Sequence, residues 1–153
     1  MATTKDALTG DPLVGAHFKV DVSGKATGFF TEVSGIGSET QVIEHKITLE
    51  QQGTGLIRKV PGLLKWNDIT LKRGITANMD FYDWRKLVEQ GKVDQARVSV
   101  TITMMAQDYT PIAEWTLENA WPSKITGPSI KADANEIGIE ELTIVHEGIT
   151  RTM

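Results

Sequence analysis

The sequence of 153 residues contains no cysteine. Disulfide bridges and thiolate metal sites are therefore excluded, and the composition gives no information about the redox compartment. A domain of this length buries about 70% of the surface that its unfolded chain exposes, which is enough for a core without cross-links. We therefore expect a single domain over residues 1–153, stabilised by its hydrophobic core and without a cofactor.

Long apolar segments and an excess of basic residues are also missing. No run approaches the roughly 20 apolar residues of a membrane-spanning helix, and the first ten residues lack an apolar signal region. We therefore expect synthesis in the cytoplasm and no membrane insertion. The 16 basic and 20 acidic residues give a formal net charge of −4, and Lys65, Lys72 and Arg73 form the only modest basic cluster. A dedicated nucleic-acid binder, which normally carries a basic stripe, is therefore disfavoured.

Alternation of apolar and polar residues predicts strands over most of the chain. Phe18, Val20 and Val22 alternate with polar residues, and the segments 98–104 and 113–118 show the same period of two. Small polar residues before Pro12 predict a flexible arm over residues 1–12. The whole pattern predicts a mainly β fold, namely a two-sheet barrel or sandwich of about seven to eight strands.

One helix is predicted to flank the sheets, from Met79 to Gln90. Asn78 or Asp80 is suited to cap its start, and Gly91 follows at the position where helices commonly end. Its apolar stripe consists of Phe81, Trp84, Leu87 and Val88. We expect Trp84 and the strand residues Trp66 and Trp115 to be core anchors.

Two further segments have distinctive patterns. Residues 39–63 predict a long hairpin or extended loop, with a glycine-rich tip at residues 51–55 and an apolar return strand. In the last strand the apolar residues change from odd to even positions at Glu140-Glu141, which predicts either a bulge or burial on both faces.

No constellation of residues indicates catalysis or metal binding. His17, His45 and His146 lie on separate predicted strands without the spacing of metal ligands. Glu114 and Glu118 share a strand face but are about 13 Å apart, too far for paired carboxylates of a glycosidase. Neither a phosphate-binding loop nor a serine nucleophile motif is present. An enzyme is therefore not expected.

Seven collinear motifs together resemble the tail-tube protein family of long contractile phages. The branch that they resemble most is the inner-tube protein of extracellular contractile injection systems, and the similarity runs from about Leu13 to the C-terminus. The motifs are Phe29–Ile36, Lys59–Gly62, Asn67–Gly74, Glu118–Lys124, Gly127–Pro128, Asn135–Glu140 and His146–Gly148.

This resemblance implies a structural protein that assembles with itself. Hexameric rings would stack into a hollow tube that conducts DNA or an effector protein. The tube would be surrounded by a sheath and would contact baseplate hub, spike and terminator proteins. The expected location is a phage tail or a released, extracellular phage-tail-like particle.

With the resemblance, two sets of residues become candidates for contacts or surfaces of the tube. The first is a ring-stacking loop formed by Gln51, Gln52, Gly53, Gly55, Leu56, Ile57 and Arg58; the alternative is a surface loop packed on itself. The second is a polar lumen lining formed by Ser99, Thr101, Thr103, Glu114, Thr116 and Glu118; the alternative is exposure to solvent on the outside.

Two other classes of protein remain as alternatives. A monomeric β-barrel module that binds a small ligand would contain a sizeable apolar cavity. A barrel-fold hydrolase would require titratable groups that converge in a pocket.

Overall fold

The computed structural model describes residues 17–48, 55–74, 78–128 and 138–153. The predicted arm over residues 1–12 lies outside these ranges. The described residues form ten strands and two helices. The strands are β1 (His17–Val22), β2 (Ala26–Phe30), β3 (Glu32–Ser34), β4 (Ser38–Thr48), β5 (Gly55–Trp66), β6 (Ile69–Gly74), β7 (Val98–Met105), β8 (Pro111–Thr126), β9 (Ile139–Val145) and β10 (Gly148–Arg151). The helices are α1 (Asp80–Glu89) and α2 (Val93–Ala96).

Eight of the strands form two antiparallel layers that share β8. The first layer has the order β2-β1-β7-β8-β10, and the second has the order β8-β9-β6-β3. The predicted mainly β sandwich is confirmed, with more strands than expected. The alternative of a closed barrel is not realised, because β2 and β3 end the hydrogen-bonded path without pairing to each other.

The long strand β8 passes from one layer to the other at its middle. Its first half pairs with β7 and β10, and its second half pairs with β9. Asn119 adopts a φ of 48°, a left-handed conformation that asparagine tolerates better than most residues. The pairing with β7 shifts by one residue at this point, between Val98 and Val100. These two irregularities bend β8 around the core.

The core lies between the two layers and under α1. Val20, Val22, Val100, Ile102 and Leu117 contribute from the first layer, and Ile69, Leu71, Leu142 and Ile144 from the second. Trp84 anchors α1 as predicted, and its Nε1 donates a 2.7 Å hydrogen bond to the Ala96 carbonyl oxygen. Of the other two predicted core anchors, Trp115 packs against the core and is half-buried. Trp66 instead contacts His146.

Helix α1 begins and ends close to the predicted residues. Asn78 Oδ1 accepts a 2.9 Å hydrogen bond from the Asp80 backbone N–H. At the other end, the N–H groups of Gly91 and Lys92 donate to the carbonyls of Val88 and Leu87. Gly91 has a φ of 80°, so these bonds form the Schellman arrangement that commonly ends helices. The short helix α2 was not predicted.

Strand β9 pairs regularly with β6, so the bulge predicted as one possibility at Glu140-Glu141 is not present in this pairing. It pairs with β6 without a register shift from Ile139, opposite Gly74, to Ile144, opposite Ile69. Glu140 is buried and Ile139 is exposed. The apparent change of face in the sequence therefore arises because a charged residue, Glu140, occupies a core-facing position. Its partner is the buried Arg73, which the sequence analysis assigned to a basic cluster.

Candidate assembly surfaces

The hairpin of β4 and β5 is separate from the two layers of the sandwich. Within the described residues, each of its strands pairs only with the other. Thr40 pairs with Leu64 and Val42 with Pro61, so β5 has one additional residue between these pairs. Strands β4 and β5 therefore form a long hairpin, as a two-stranded ribbon with a bulge in β5.

The hairpin exposes large apolar side chains on both of its faces. Seven of the twelve large hydrophobic side chains that are exposed in the described residues lie on it, so it is the main apolar surface of the subunit. The most exposed of them is Leu63, at 78%. Cross-strand pairing places Ile43 beside Val60 on one face, whereas Val42 and Ile57 lie on the other. An isolated two-stranded ribbon is only marginally stable, and exposed apolar patches of this kind mark interaction sites.

The charge of the hairpin is opposite to that of the whole protein. Its described strands contain the basic residues Lys46, Arg58, Lys59 and Lys65 but only the acidic residues Glu39 and Glu44, whereas the full chain has a net charge of −4. A basic hairpin on an acidic protein favours contact with an acidic surface of another copy.

The base of the hairpin is fixed to the sandwich by a few specific contacts. His146 Nε2 donates a 2.9 Å hydrogen bond to the Asn67 carbonyl oxygen, and the His146 ring lies 6.0 Å from the ring of Trp66, the last residue of β5. The Asn67 N–H donates to the Gly37 carbonyl oxygen at 3.1 Å. Gly35 has a φ of 87°, and a Cβ there would lie 2.0 Å from the Asp68 carbonyl oxygen. Only glycine fits at this crossing of the two connections.

A polar face runs across five strands of the first layer. Thr27, Asp21, Thr101, Thr116 and Thr150 form one cross-strand row from β2 to β10. The next row contains Phe29, Lys19, Thr103 and Glu114. We call the surface formed by the polar residues of these two rows, together with Ser99 and Glu118, the polar face. Five of its members are threonines, which are suited to a hydrated surface without exposed apolar patches.

The structure brings all six residues of the predicted lumen lining to this one face. Ser99 and Glu118 are exposed, and Thr101, Glu114 and Thr116 are half-buried. Thr103 is only 9% exposed in the subunit, so it contributes little surface.

Three aromatic rings lie together at one end of the polar face. The rings of His17 and Tyr109 are stacked at 4.9 Å with an angle of 10°, and the Phe29 ring meets Tyr109 edge-on at 6.0 Å. Phe29 and Tyr109 are 54% and 58% exposed. We call these three residues the aromatic rim. The aromatic rim has no signal in the sequence, because strand pairing brings together residues that are far apart in the chain.

The two layers also have open edges. Strands β2 and β10 end the first layer and β3 ends the second, so their outer backbone groups are not paired within the described sheet ladders. Open strand edges are templates for pairing with another chain. The edges are short, at five, four and three residues respectively.

The structure offers little support for a catalytic or ligand-binding centre. Among the described residues, no group of three or more His, Asp or Glu side chains is arranged to hold a metal ion. The three histidines have different neighbours: His45 lies opposite Arg58 on the hairpin, His17 stacks on Tyr109, and His146 bonds to the Asn67 carbonyl oxygen. A groove of about 440 Å³ lies on the hairpin beside Glu39, Leu63 and Lys65 rather than between the sheets. No helix in the described ranges combines the length and apolar character needed to cross a bilayer.

The predicted stacking loop is described only in part. Gln51, Gln52 and Gly53 lie outside the described residues. Gly55, Leu56, Ile57 and Arg58 form the start of β5, where all four are exposed. Leu56 and Ile57 project from opposite faces of the ribbon, because their partners Ile47 and Lys46 are successive residues of β4.

The sequence matches the model of a known family over nearly its whole length. Residues 14–150 match the family of the T4-like virus tail tube protein gp19. The chain belongs to this tail tube family, as the motifs predicted. The family is one of structural tube proteins and not of enzymes. No curated protein sequence matches the chain.

Similar solved structures include chains of the anti-feeding prophage and of an extracellular contractile injection system. A chain of the anti-feeding prophage cap, described as the tube terminating cap, is 26% identical with a TM-score of 0.75, over 92% of this chain and 91% of that one. A chain of the sheath/tube terminator of the PVC extracellular contractile injection system is 27% identical with a TM-score of 0.71, over 89% and 93%. A chain of the PVC sheath-tube complex is 24% identical with a TM-score of 0.77, over 99% of both chains, and shows likeness of fold alone.

Proposed function

We propose that the protein is the inner-tube subunit of a contractile, phage-tail-like injection machine, in which hexameric rings stack around a lumen that conducts an effector protein or DNA. The observation that carries this proposal is the hairpin, which exposes apolar side chains on both faces in a chain of the tail tube family. A single-copy protein would leave this surface in water, whereas a tube buries it between subunits.

The hairpin supplies the contact between rings. Its strands are 11 and 12 residues long and form a sheet of their own, and its apolar residues are spread along both strands rather than gathered near the base. Burying an aliphatic side chain of this size contributes about 1.5–3 kcal/mol, so several such residues per subunit stabilise a stack strongly. The stacking role includes Gln51, Gln52 and Gly53 at the tip as well as Gly55 to Arg58.

Lateral contacts within a ring use the short open edges. Continuing a layer into the neighbouring subunit pairs the edge groups of β2, β3 and β10 and removes the exposed ladders. Ring closure follows when such a head-to-tail contact repeats with a rotation that closes on itself.

The polar face lines the lumen in this arrangement. Its threonine rows and carboxylates present a hydrated wall on which a passing protein or nucleic acid finds few apolar contacts. The helix α1 packs on the part of the sandwich formed by β8 and β2 and belongs to the outer wall.

The assemblies that contain similar chains indicate which proteins this subunit contacts. The structures of similar chains carry the names sheath-tube complex, sheath/tube terminator, tube cap and baseplate. We infer that this subunit is likewise enclosed by a sheath, ends at a terminator and begins at a baseplate with its hub and spike. Such a particle is made in the cytoplasm and acts outside the cell or as a phage tail.

Electron microscopy of the concentrated protein tests the proposal directly. We expect rings and tubes for the unchanged chain. The double variant Leu56→Glu/Ile57→Glu, which places a charge on each hairpin face, should form rings without tubes and keep the thermal unfolding midpoint of the subunit. Lys86→Glu on the exposed side of α1 is the matched control and should form tubes. A chain that remains monomeric at every concentration would refute the proposal.

A further inference from the structure

A tube made of identical subunits needs two complementary surfaces on each copy. One surface meets the next ring and the other meets the previous ring, because the contact is head-to-tail. The hairpin provides one of the two. The surface that receives it has to be apolar enough to cover aliphatic side chains and acidic enough to match a basic ribbon.

One face of the hairpin has a symmetrical pattern. The apolar pairs Ile43–Val60 and Ile47–Leu56 lie on either side of the pair His45–Arg58. We call this surface the Arg58 face. Cross-strand pairing puts all six side chains on the same side of the ribbon. A guanidinium between two apolar pairs prefers a partner that offers an aromatic ring together with a carboxylate.

The aromatic rim has the matching chemistry. Two of its rings are more than half exposed although they contact each other, so their outer faces are available. Asp108 directly precedes Tyr109, and Glu114 lies in the same cross-strand row as Phe29, with Lys19 the one basic residue between them. Asp108 adds a carboxylate to the turn that presents Tyr109, where its Oδ1 accepts a 3.1 Å hydrogen bond from the Thr110 N–H. Glu114 lies three strands away from Phe29 and accepts a hydrogen bond from the Thr152 hydroxyl.

The backbone holds the Tyr109 ring in a special position. Tyr109 has a φ of 64°, which is rare for a residue with a large side chain. The turn is fixed by the hydrogen bonds Ala106 N–H to Thr110 O and Tyr109 N–H to Ala106 O, both 2.9 Å long. Strained residues that persist in an exposed turn commonly serve a function, and here the strain presents an aromatic ring to the outside.

We propose that the Arg58 face of one copy docks on the aromatic rim of a second copy, with the Arg58 guanidinium over the exposed rings of Tyr109 and Phe29. This inference rests on the proposed tube and names the receiving surface within it. The partner is a second copy because the basic, apolar hairpin and the acidic, aromatic rim are complementary parts of the same chain.

Because the chain contains no cysteine, the introduced cysteines are the only thiols in a cross-linking test. Protein with Leu56→Cys is mixed with protein carrying Tyr109→Cys, assembled, checked for tubes by electron microscopy and oxidised. We expect covalent dimers on a non-reducing gel, and none from either variant alone. Ile57→Cys, one residue along but on the opposite face, is the matched control and should give no dimer with Tyr109→Cys.

The outcomes separate the docking from the tube itself. Tubes without Leu56–Tyr109 dimers would overturn the docking surface while leaving the tube proposal intact, and an absence of tubes from the unchanged chain would remove both. Equal dimer yields from Leu56→Cys and Ile57→Cys would overturn the choice of face. An intramolecular cross-link between Tyr109→Cys and Leu13→Cys in dilute protein, without mixed dimers in tubes, would identify the chain's own N-terminal segment as the occupant.

A second measurement addresses the role of Arg58. We expect Arg58→Ala to raise the protein concentration needed for tube formation by about tenfold, because a desolvated cation–π contact is lost. Lys59→Ala removes the same charge from the neighbouring position on the other face and should change this concentration much less. Equal effects of the two variants would mean that only net charge matters and would contradict the docking geometry.

Discussion

Arg73 Nε donates a 3.1 Å hydrogen bond to Glu140 Oε2 in the interior of the sandwich, where the two side chains are only 6% and 3% exposed. The Arg73 guanidinium also lies 5.0 Å from the centre of the Phe30 ring and 4.9 Å from that of Phe81. Gly28 makes room for it, since a Cβ there would lie 2.9 Å from Arg73 Nη1. One charged pair thus joins β2, β6, β9 and α1.

This pair predicts a strong contrast between single and double replacement. Glu140→Leu should lower the free energy of unfolding by about 3–5 kcal/mol, because it leaves the Arg73 charge buried without a counter-ion. The double variant Arg73→Met/Glu140→Leu should recover most of this loss, since well-packed apolar residues often replace a buried pair without cost. Urea unfolding measures both. A double variant as unstable as the single one would show that the pair itself is needed.

The crossing at the base of the hairpin predicts a glycine requirement. Gly35→Ala should destabilise the subunit by about 3 kcal/mol or more, because the new Cβ would collide with the Asp68 carbonyl in addition to the cost of its positive φ. Gly24→Ala is a matched control: its φ is 69°, but nothing lies within 4 Å of the added Cβ. It should cost only about 1–2 kcal/mol. Thermal unfolding compares them, and similar losses would contradict the collision.

The hydrogen bond from His146 predicts a local effect on the hairpin base. His146→Ala should leave the Asn67 carbonyl without this donor and remove the ring beside Trp66. A lost hydrogen bond of this kind is worth about 1 kcal/mol, so the backbone amide of Asn67 should exchange with deuterium several-fold faster. His45→Ala, on the exposed ribbon, is the control. An unchanged exchange rate at Asn67 would show that other contacts fix the base.

Labelling of a single introduced cysteine tests the location of the polar face. Ser99→Cys is nearly isosteric, and Ser99 is exposed in the subunit. In assembled tubes it should react with a small maleimide but not with a bulky polymer-linked maleimide, which a narrow lumen excludes. Lys86→Cys on α1 should react with both. Equal reaction of Ser99→Cys with the bulky reagent would place the polar face on the outside.

Period-two patterns predicted the strands whose two faces differ in polarity. β1, β7 and the first half of β8 each have one buried apolar face, and their alternation is visible in the sequence. The helix was predicted from another local pattern, namely apolar residues at helical spacing with Asn78 before them and Gly91 after them. The hairpin was also visible, because a glycine-rich segment separates two alternating stretches.

The features that were missed depend on contacts between distant residues. Arg73 and Glu140 are typical surface residues in isolation, and only the pairing of β6 with β9 places them together in the core. The aromatic rim requires β1 to pair with β2 and β7 at once. The bend at Asn119 and the strand β10 have no periodic signal, since a single residue and a four-residue strand are too short to show one.

The separation of the hairpin's hydrogen-bond ladder from those of the sandwich has an evolutionary consequence. We expect substitutions along the ribbon to leave the folding of the subunit body nearly unchanged, so that selection could alter the proposed ring-to-ring contact independently of the stability of the body. Grafting a ribbon from a related chain onto this body should therefore change which rings accept one another and leave each subunit able to fold.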